Sequence, residues 1–212
     1  MRWIAQPRRI GKRPGESGQG AVEFALVGGL FFFLVFSIVN AGFFLYGRSA
    51  IQHAADVGMA AISAEGRCTA SGGPCLAIAS NCPNYQGGAM QNNADEVAIC
   101  LMDQAGLTTT PLTTVTSIQV WQVEQNADGT PNDSCNNTGS GTGSLPCNTA
   151  NENTYDVYGN ASIHGWPVTS RDVSTSGSSF ARLIIYYRYS LVATNQTFAV
   201  STSNVFRLEP QQ

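Results

Sequence analysis

Gly18-Gln19-Gly20-Ala21-Val22-Glu23-Phe24 is the stretch that decides the fold. It is a run of small residues holding one acid, and it opens a long apolar segment: Phe24 to Gly47, 24 residues, contains no Asp, Glu, Lys or Arg. Roughly 20 apolar residues span a bilayer, so this run is long enough to cross one as a helix. A carboxylate at the mouth of such a segment is expensive in hydrocarbon and needs a partner or a purpose. Upstream lie Arg2, Arg8, Arg9, Lys12 and Arg13, among Pro7, Gly11, Pro14 and Gly15, so residues 1–18 read as a basic leader rather than folded structure. A basic cluster ahead of an apolar run keeps the N-terminus in the cytoplasm and sends the remainder outward. An ordinary secretory signal has an apolar core of only about 7–15 residues ending in a small-x-small site. Here the run is longer and continues into helix-forming sequence, which favours a membrane anchor.

Charge is distributed unevenly along the 212 residues. The net charge is −3, but five of the eleven Lys and Arg precede Gly18, against one acid there, Glu16. Subtracting those leaves six Arg against thirteen Asp and Glu, a body near −7 with no lysine after Lys12. Nucleic-acid binding needs clustered Lys and Arg, so that class is not expected.

Past the charge-free run the pattern turns amphipathic. Ile51, Ala54, Ala55, Gly58, Met59 and Ile62 recur at helical spacing, with Arg48, Gln52, Asp56 and Glu65 on polar positions. The expectation is one helix over 19–65, transmembrane over 24–47 and amphipathic over 48–65, about 65–70 Å long. Its second half should pack its small-residue stripe against a domain. Gly28-Gly29, Gly42 and Gly47 lie inside it and admit two readings: close helix–helix approach, which glycine permits in membranes, or local weakening at about 1 kcal/mol each relative to alanine.

Residues 66–212 form the remaining domain. Gly66 is a plausible helix stop, and residues 68–92 are rich in Cys, Gly, Ser, Asn and Pro. Ala94 to Ala105 reads as a short helix whose first-turn acids favour the dipole. Thr113 to Glu124 is β-branched and apolar, and Asp128-Gly129 after it signals a turn. Residues 130–178 are a long polar insert in which Tyr155 to Ile163 supplies one strand. The clearest strand is Phe180 to Val192: Leu183, Ile185, Tyr187, Tyr189 and Leu191 alternate with Arg182, Tyr186, Arg188 and Ser190. Phe198, Val200 and Phe206 take alternate positions on a returning strand. The fold class is therefore α+β: a long N-terminal transmembrane helix, a short helix and a small antiparallel sheet of three or four strands.

Cys68, Cys75, Cys82, Cys100, Cys135 and Cys147 all follow the apolar run, on the side where disulfides persist. Six thiols allow fifteen connectivities, and sequence does not resolve them. Local pairing, Cys135 with Cys147 and the other four among themselves, would pin the loops. A zinc site lacks any Cys-x2-4-Cys pair and has its two histidines far apart. Catalytic chemistry finds little to work with. His53 reads as a packed or surface helix residue and His164, in Ile163-His164-Gly165-Trp166-Pro167, as a loop anchor; Gly-x-Ser-x-Gly, His-Glu-x-x-His and a phosphate loop are absent. The Asn126–Asp133 segment has Pro131 where a calcium loop needs glycine and lacks its closing glutamate. No cofactor, metal or enzymatic activity is expected.

Gly18-Gln19…Val22-Glu23-Phe24-Ala25-Leu26-Val27, the apolar run, then Tyr46…Gln52-His53-Ala54-Ala55-Asp56-Val57-Gly58 resembles the TadE/TadG-like proteins, minor pilins or pseudopilins of the tight-adherence (Flp) pilus system. The resemblance covers residues 18–63 and is confined to agreement in type for the closing hairpin. It implies a pilin-like fold, membrane residence, and partners that include a prepilin peptidase, other pilins and pilus-assembly proteins. It also implies the bacterial inner membrane, single-pass, with the C-terminal domain extracytoplasmic, and a place in the pilus. Cleavage after Gly18 would make Gln19 the first mature residue, Glu23 the fifth and Phe24 the sixth, the register the resemblance implies; cleavage after Gly20 would make Glu23 the third. The chain departs from many relatives in having Gly28-Gly29 in place of a proline, and Asn40 ahead of Gly42 in place of an acid. The competing class is a permanently anchored, uncut binding module or adhesin that uses Trp121, Trp166 and the Tyr155–Tyr158 region.

Overall fold

The computed structural model describes residues 16–65, 93–126, 128–132, 151–171, 180–192, 194 and 196–208. The chain divides into two units, Met1–Gly42 and Phe43–Gln212. Helix α1, Glu16–Glu65, supplies every described residue of the first unit and opens the second. Its start is three residues ahead of the Gln19 expected from sequence. Within the first unit the helix is bare: Val22, Phe24, Leu26, Val27 and the apolar residues from Leu30 to Val39 are exposed. Within the charge-free run, Ser37 Oγ bonds back to the Phe33 carbonyl and Asn40 Nδ2 to the Phe36 carbonyl, both at 2.8 Å. Back-bonding of this kind lowers the cost of a polar group among apolar surroundings.

In the second unit the amphipathic half of α1 behaves as its periodicity requires. Ile51, Ala54, Ala55 and Ile62 are buried and join one core with Ile99, Met102, Ile118, Val120, Leu183, Ile185 and Tyr187. Helix α2, Ala94–Gln104, lies against this stripe, so closely that a Cβ on Gly58 would sit 2.5 Å from Met102 Sδ. Both ends of α2 are written locally. Asn93 caps it, with Oδ1 accepting from Glu96 N and Nδ2 donating to Glu96 Oε1, each at 3.0 Å. At the other end Leu107 N donates to Met102 O and Gly106 N to Asp103 O, a Schellman stop that needs the left-handed glycine Gly106 at φ 101°.

Strands β1 (Thr113–Gln125), β2 (Pro131–Asn132), β3 (Glu152–Tyr155), β4 (Ala161–His164), β5 (Phe180–Ser190) and β6 (Thr197–Arg207) form one sheet. Its order is β4-β3-β1-β5-β6, with β2 paired to β1 and every pairing antiparallel. Among the described residues six strands replace the three or four expected. The additional ones come from the polar insert: Tyr155 to Ile163, expected to supply one strand, holds the end of β3, a turn and most of β4. Asp156 makes that turn by accepting from Tyr158 N at 2.8 Å and Asn160 N at 2.9 Å.

The long strands follow their alternation. Leu183, Ile185, Tyr187 and Tyr189 of β5 are buried, and Tyr186 and Arg188 face out. In β1 the alternation changes phase at Thr116: the register slips between Val115 and Ser117, so Val115 opposes Tyr187 while Ile118, not Ser117, opposes Ile185. One bulged residue lets β1 keep apolar side chains on the core face on both sides of the slip. On β6, Val200 and Phe206 pack on the core, but Phe198 is 52% exposed, because it lies opposite Tyr189 at the sheet's edge.

Candidate processing and assembly site

Gly18 and Gly20 lie in the first turns of α1, and no heavy atom comes within 4 Å of a Cβ built on either. Gln19 belongs to the same helix. Glu23 is exposed one turn further on, and Phe24 is 79% exposed. The fold thus leaves three of the expected processing and assembly residues, Gly18, Glu23 and Phe24, open near the helix start, with Gln19 on the same helix. The span Gly20–Ala64 contains an 18-residue window of mean hydropathy 2.4 with none of it buried within the molecule. An apolar helix that its own fold leaves uncovered needs lipid or other helices around it. The helix is long and apolar enough to cross a membrane.

A second constellation lies inside the sheet domain, and the sequence reading missed it. Asp95 and Arg171 form an ion pair with both side chains fully buried. The pair is bidentate, Arg171 Nη1 to Asp95 Oδ1 at 2.8 Å and Nη2 to Oδ2 at 2.7 Å. Asn153 Nδ2 and the Tyr155 hydroxyl each donate to Asp95 Oδ2 at 2.9 Å. Asn153 also clamps Trp166, donating to its carbonyl at 2.8 Å and accepting from its N–H at 3.0 Å. The Arg171 guanidinium lies 4.4 Å from the centre of the Trp166 ring. Burial alone would push the Asp95 carboxyl up. The Arg171 charge and the hydrogen bonds from Arg171, Asn153 and Tyr155 outweigh it and hold Asp95 below the usual carboxylate range. The Tyr155 hydroxyl is pushed up, first by burial and then by the Asp95 charge, and stays a donor. Nothing here can move a proton near neutral pH; the cluster holds α2 to β3 and to the 3-10 turn Val168–Ser170.

That packing corrects the proposed aromatic binding surface. Trp166 is 2% exposed and Tyr155 1%, so neither presents a ring to a ligand. Trp121 is part-buried and donates to Gln119 Oε1 at 3.2 Å, and only Tyr158 stands out into solvent. These aromatics are not brought together at a surface. His164 is also not in a loop: it ends β4, its ring edge-on to Tyr155 with centroids 5.9 Å apart. His53 is exposed on α1. Cys100, buried on α2, is disulfide-bonded. Cys68, Cys75, Cys82, Cys135 and Cys147, and with them the pairing, lie outside the described residues. One sequence signal for the buried ion pair did exist. Asp95 is spaced three and four residues from Ala98 and Ile99 and seven from Met102, on the apolar stripe of α2, where a dipole-favouring surface acid would not sit.

The family model of TadE-like proteins matches residues 18–59, which is 42 of the 212 residues. The match takes in the helix start, the uncovered apolar run and the buried small-residue stripe, and stops ahead of the sheet. No curated protein and no solved structure matches the chain.

Proposed function

We propose that this chain, TadE-like over residues 18–59, is a minor pilin or pseudopilin that takes part in assembling a tight-adherence (Flp) pilus. A prepilin peptidase cuts after Gly18, α1 sits in the cytoplasmic membrane with the basic leader inside, and the sheet domain lies outside. The observation that carries this reading is the uncovered helical run, charge-free from Phe24 to Gly47, with Glu23 directly ahead of it and five residues beyond an accessible glycine. Cleavage leaves a positive α-amino group on Gln19. An ionised Glu23 about one helical turn along can pair with the amine of a neighbouring subunit as apolar helices stack. In a low-dielectric bundle an uncompensated charge costs several kcal/mol, so a wrong register is penalised.

N-terminal mass spectrometry of the membrane-purified protein tests the processing step. A mature start at Gln19 is expected; an intact Met1–Gly18 would support the alternative, a permanently anchored module, and remove the pilin reading. For the assembly step, Glu23→Ala is expected to leave membrane insertion intact while reducing incorporation into pili. Unchanged incorporation would show that Glu23 merely favours the helix dipole, an effect of at most about 1 kcal/mol.

A further inference from the structure

We propose that the end of the sheet domain beside Phe44 rests on the membrane surface, with Arg48 and Arg188 meeting anionic phospholipid headgroups. This rests on α1 crossing the membrane and does not depend on cleavage after Gly18. The charge-free run and the sheet domain overlap along the chain. The run continues to Gly47, yet the second unit already begins at Phe43. On that turn of helix the Phe44 ring lies edge-on to Tyr189, with centroids 5.3 Å apart, and a Cβ on Gly47 would stand 3.0 Å from Thr113 Cγ2. Tyr189 is the next-to-last residue of β5 and Thr113 the first of β1, so both mark one end of the sheet. From there α1 follows the sheet to its other end, where Ser63 Oγ donates to the Arg207 carbonyl at 2.8 Å. Between Phe44 and Gly47, Leu45 is 63% exposed and Tyr46 59%. Tyrosine is a residue of membrane–water boundaries, and lipid that covers Leu45 also reaches the sheet end beside it.

The composition of that end fits a lipid boundary. It is closed by the α2–β1 loop and the β5–β6 turn, joined where Ser190 N donates to the Leu112 carbonyl at 2.8 Å. Turns are ordinarily built from polar residues, glycine and proline. Here they supply Leu112 and Leu191, and Phe198 stands 52% exposed opposite Tyr189. Leu112 holds a left-handed backbone at φ 60°, which a leucine adopts only where its surroundings enforce it. Charge is distributed to match. Residues 106–123 and 189–206 contain no Asp, Glu, Lys or Arg, in a body that is otherwise acidic. Asp103, three residues ahead of the first stretch, accepts from the Thr108 hydroxyl. The exposed acids Asp56 and Asp128 lie further along α1 and beyond the far end of β1. Two exposed cations stand at the near end: Arg48, next to Gly47 on α1, and Arg188, next to Tyr189 on β5. An acidic domain would be repelled by an anionic bilayer; turned with this end toward it, the domain offers two arginines to the phosphates and keeps its exposed acids away.

The test is amide hydrogen exchange of the full chain, read by mass spectrometry, in nanodiscs of phosphatidylglycerol and in nanodiscs of phosphatidylcholine. Segments 107–112 and 191–198 should exchange several-fold more slowly in the anionic discs, while segment 125–132, at the far end of the sheet, exchanges equally in both. Arg48→Gln combined with Arg188→Gln should abolish the difference, and Phe198→Ser, which alters an exposed side chain, should reduce it. Equal exchange of the two segments in both lipids, or a difference that survives the double arginine variant, would overturn the inference while leaving the anchor standing. A chain that does not enter nanodiscs at all would remove the anchor itself.

Discussion

At Asp95 burial works against the charge, and four hydrogen bonds together with the Arg171 guanidinium reverse it. Removing one member of such a pair leaves the other buried and uncompensated, so Asp95→Asn or Arg171→Met is expected to destabilise the sheet domain by about 3–5 kcal/mol. Replacing both with apolar residues should cost clearly less than the sum of the single changes, because no stranded charge remains. Chemical denaturation of the detergent-solubilised chain, followed by near-UV circular dichroism, measures both. The pH dependence follows from the sign of the shift. Asp95 has a folded value below its ordinary 3.8, so its contribution is fully present above that value and is lost as pH falls through the depressed folded one. Acid destabilisation starting below about pH 4 is therefore expected in the parent and should be weaker in Asp95→Asn. Stability that is flat from pH 4 downward in the parent would contradict the assignment.

For the elements, the glycines of α1 separate into two groups with opposite expectations. A Cβ on Gly58 would stand 2.5 Å from Met102 Sδ and 2.7 Å from its Cγ, and Met102 is fully buried with no solvent to swing into. Gly58→Ala should therefore destabilise by about 1–3 kcal/mol despite alanine's better helix propensity. Trimming the neighbour in a Met102→Leu background should recover part of that loss, a coupling that a double-mutant cycle reads directly. Gly47 makes a milder version of the same contact, 3.0 Å from Thr113 Cγ2, so its close approach is to the sheet domain and not to another helix. Gly28 and Gly29 have nothing within 4 Å. Alanine at both should stabilise the helix, by about 1 kcal/mol each, in the isolated chain. If the pair serves helix–helix approach in the filament, those same substitutions should reduce incorporation into pili. If incorporation is unchanged, close packing is excluded for the pair.

The whole molecule combines an uncovered apolar helix with a domain that closes its own core. Alkaline extraction of membranes should leave the parent chain in the pellet. Leu34→Arg puts a charge at the middle of the span, at about +2.5–3.5 kcal/mol on the insertion scale, and should shift protein into the soluble fraction. Recovery of the parent itself as soluble, uncut protein would remove both the anchor and the pilus reading. The sheet domain should retain its near-UV signal in Glu23→Ala and in the glycine-pair variants, since none of those residues belongs to its core.

Patterns that depend on neighbours in sequence were legible without coordinates. A charge-free run of 24 residues must be a buried or lipid-covered helix, and its extension carries a 3.6-residue stripe that the core later accepts. Thr113–Gln125 is β-branched and apolar and Phe180–Ser190 alternates, so both strands are legible to within two residues of where they lie. The helix start was legible to within three residues, because it concerns composition at one end of a segment. The tertiary structure decided how the polar insert joins the sheet. Glu152-Asn153-Thr154-Tyr155 carries no apolar alternation and Ala161-Ser162-Ile163-His164 only two apolar positions; β1 offers β3 an edge, β3 offers the next one to β4, and Asp95 offers Asn153 and Tyr155 an acceptor. Asp95 and Arg171 stand 76 positions apart. A charge reads as surface in any local window, and only a partner brought from elsewhere in the chain makes its burial possible.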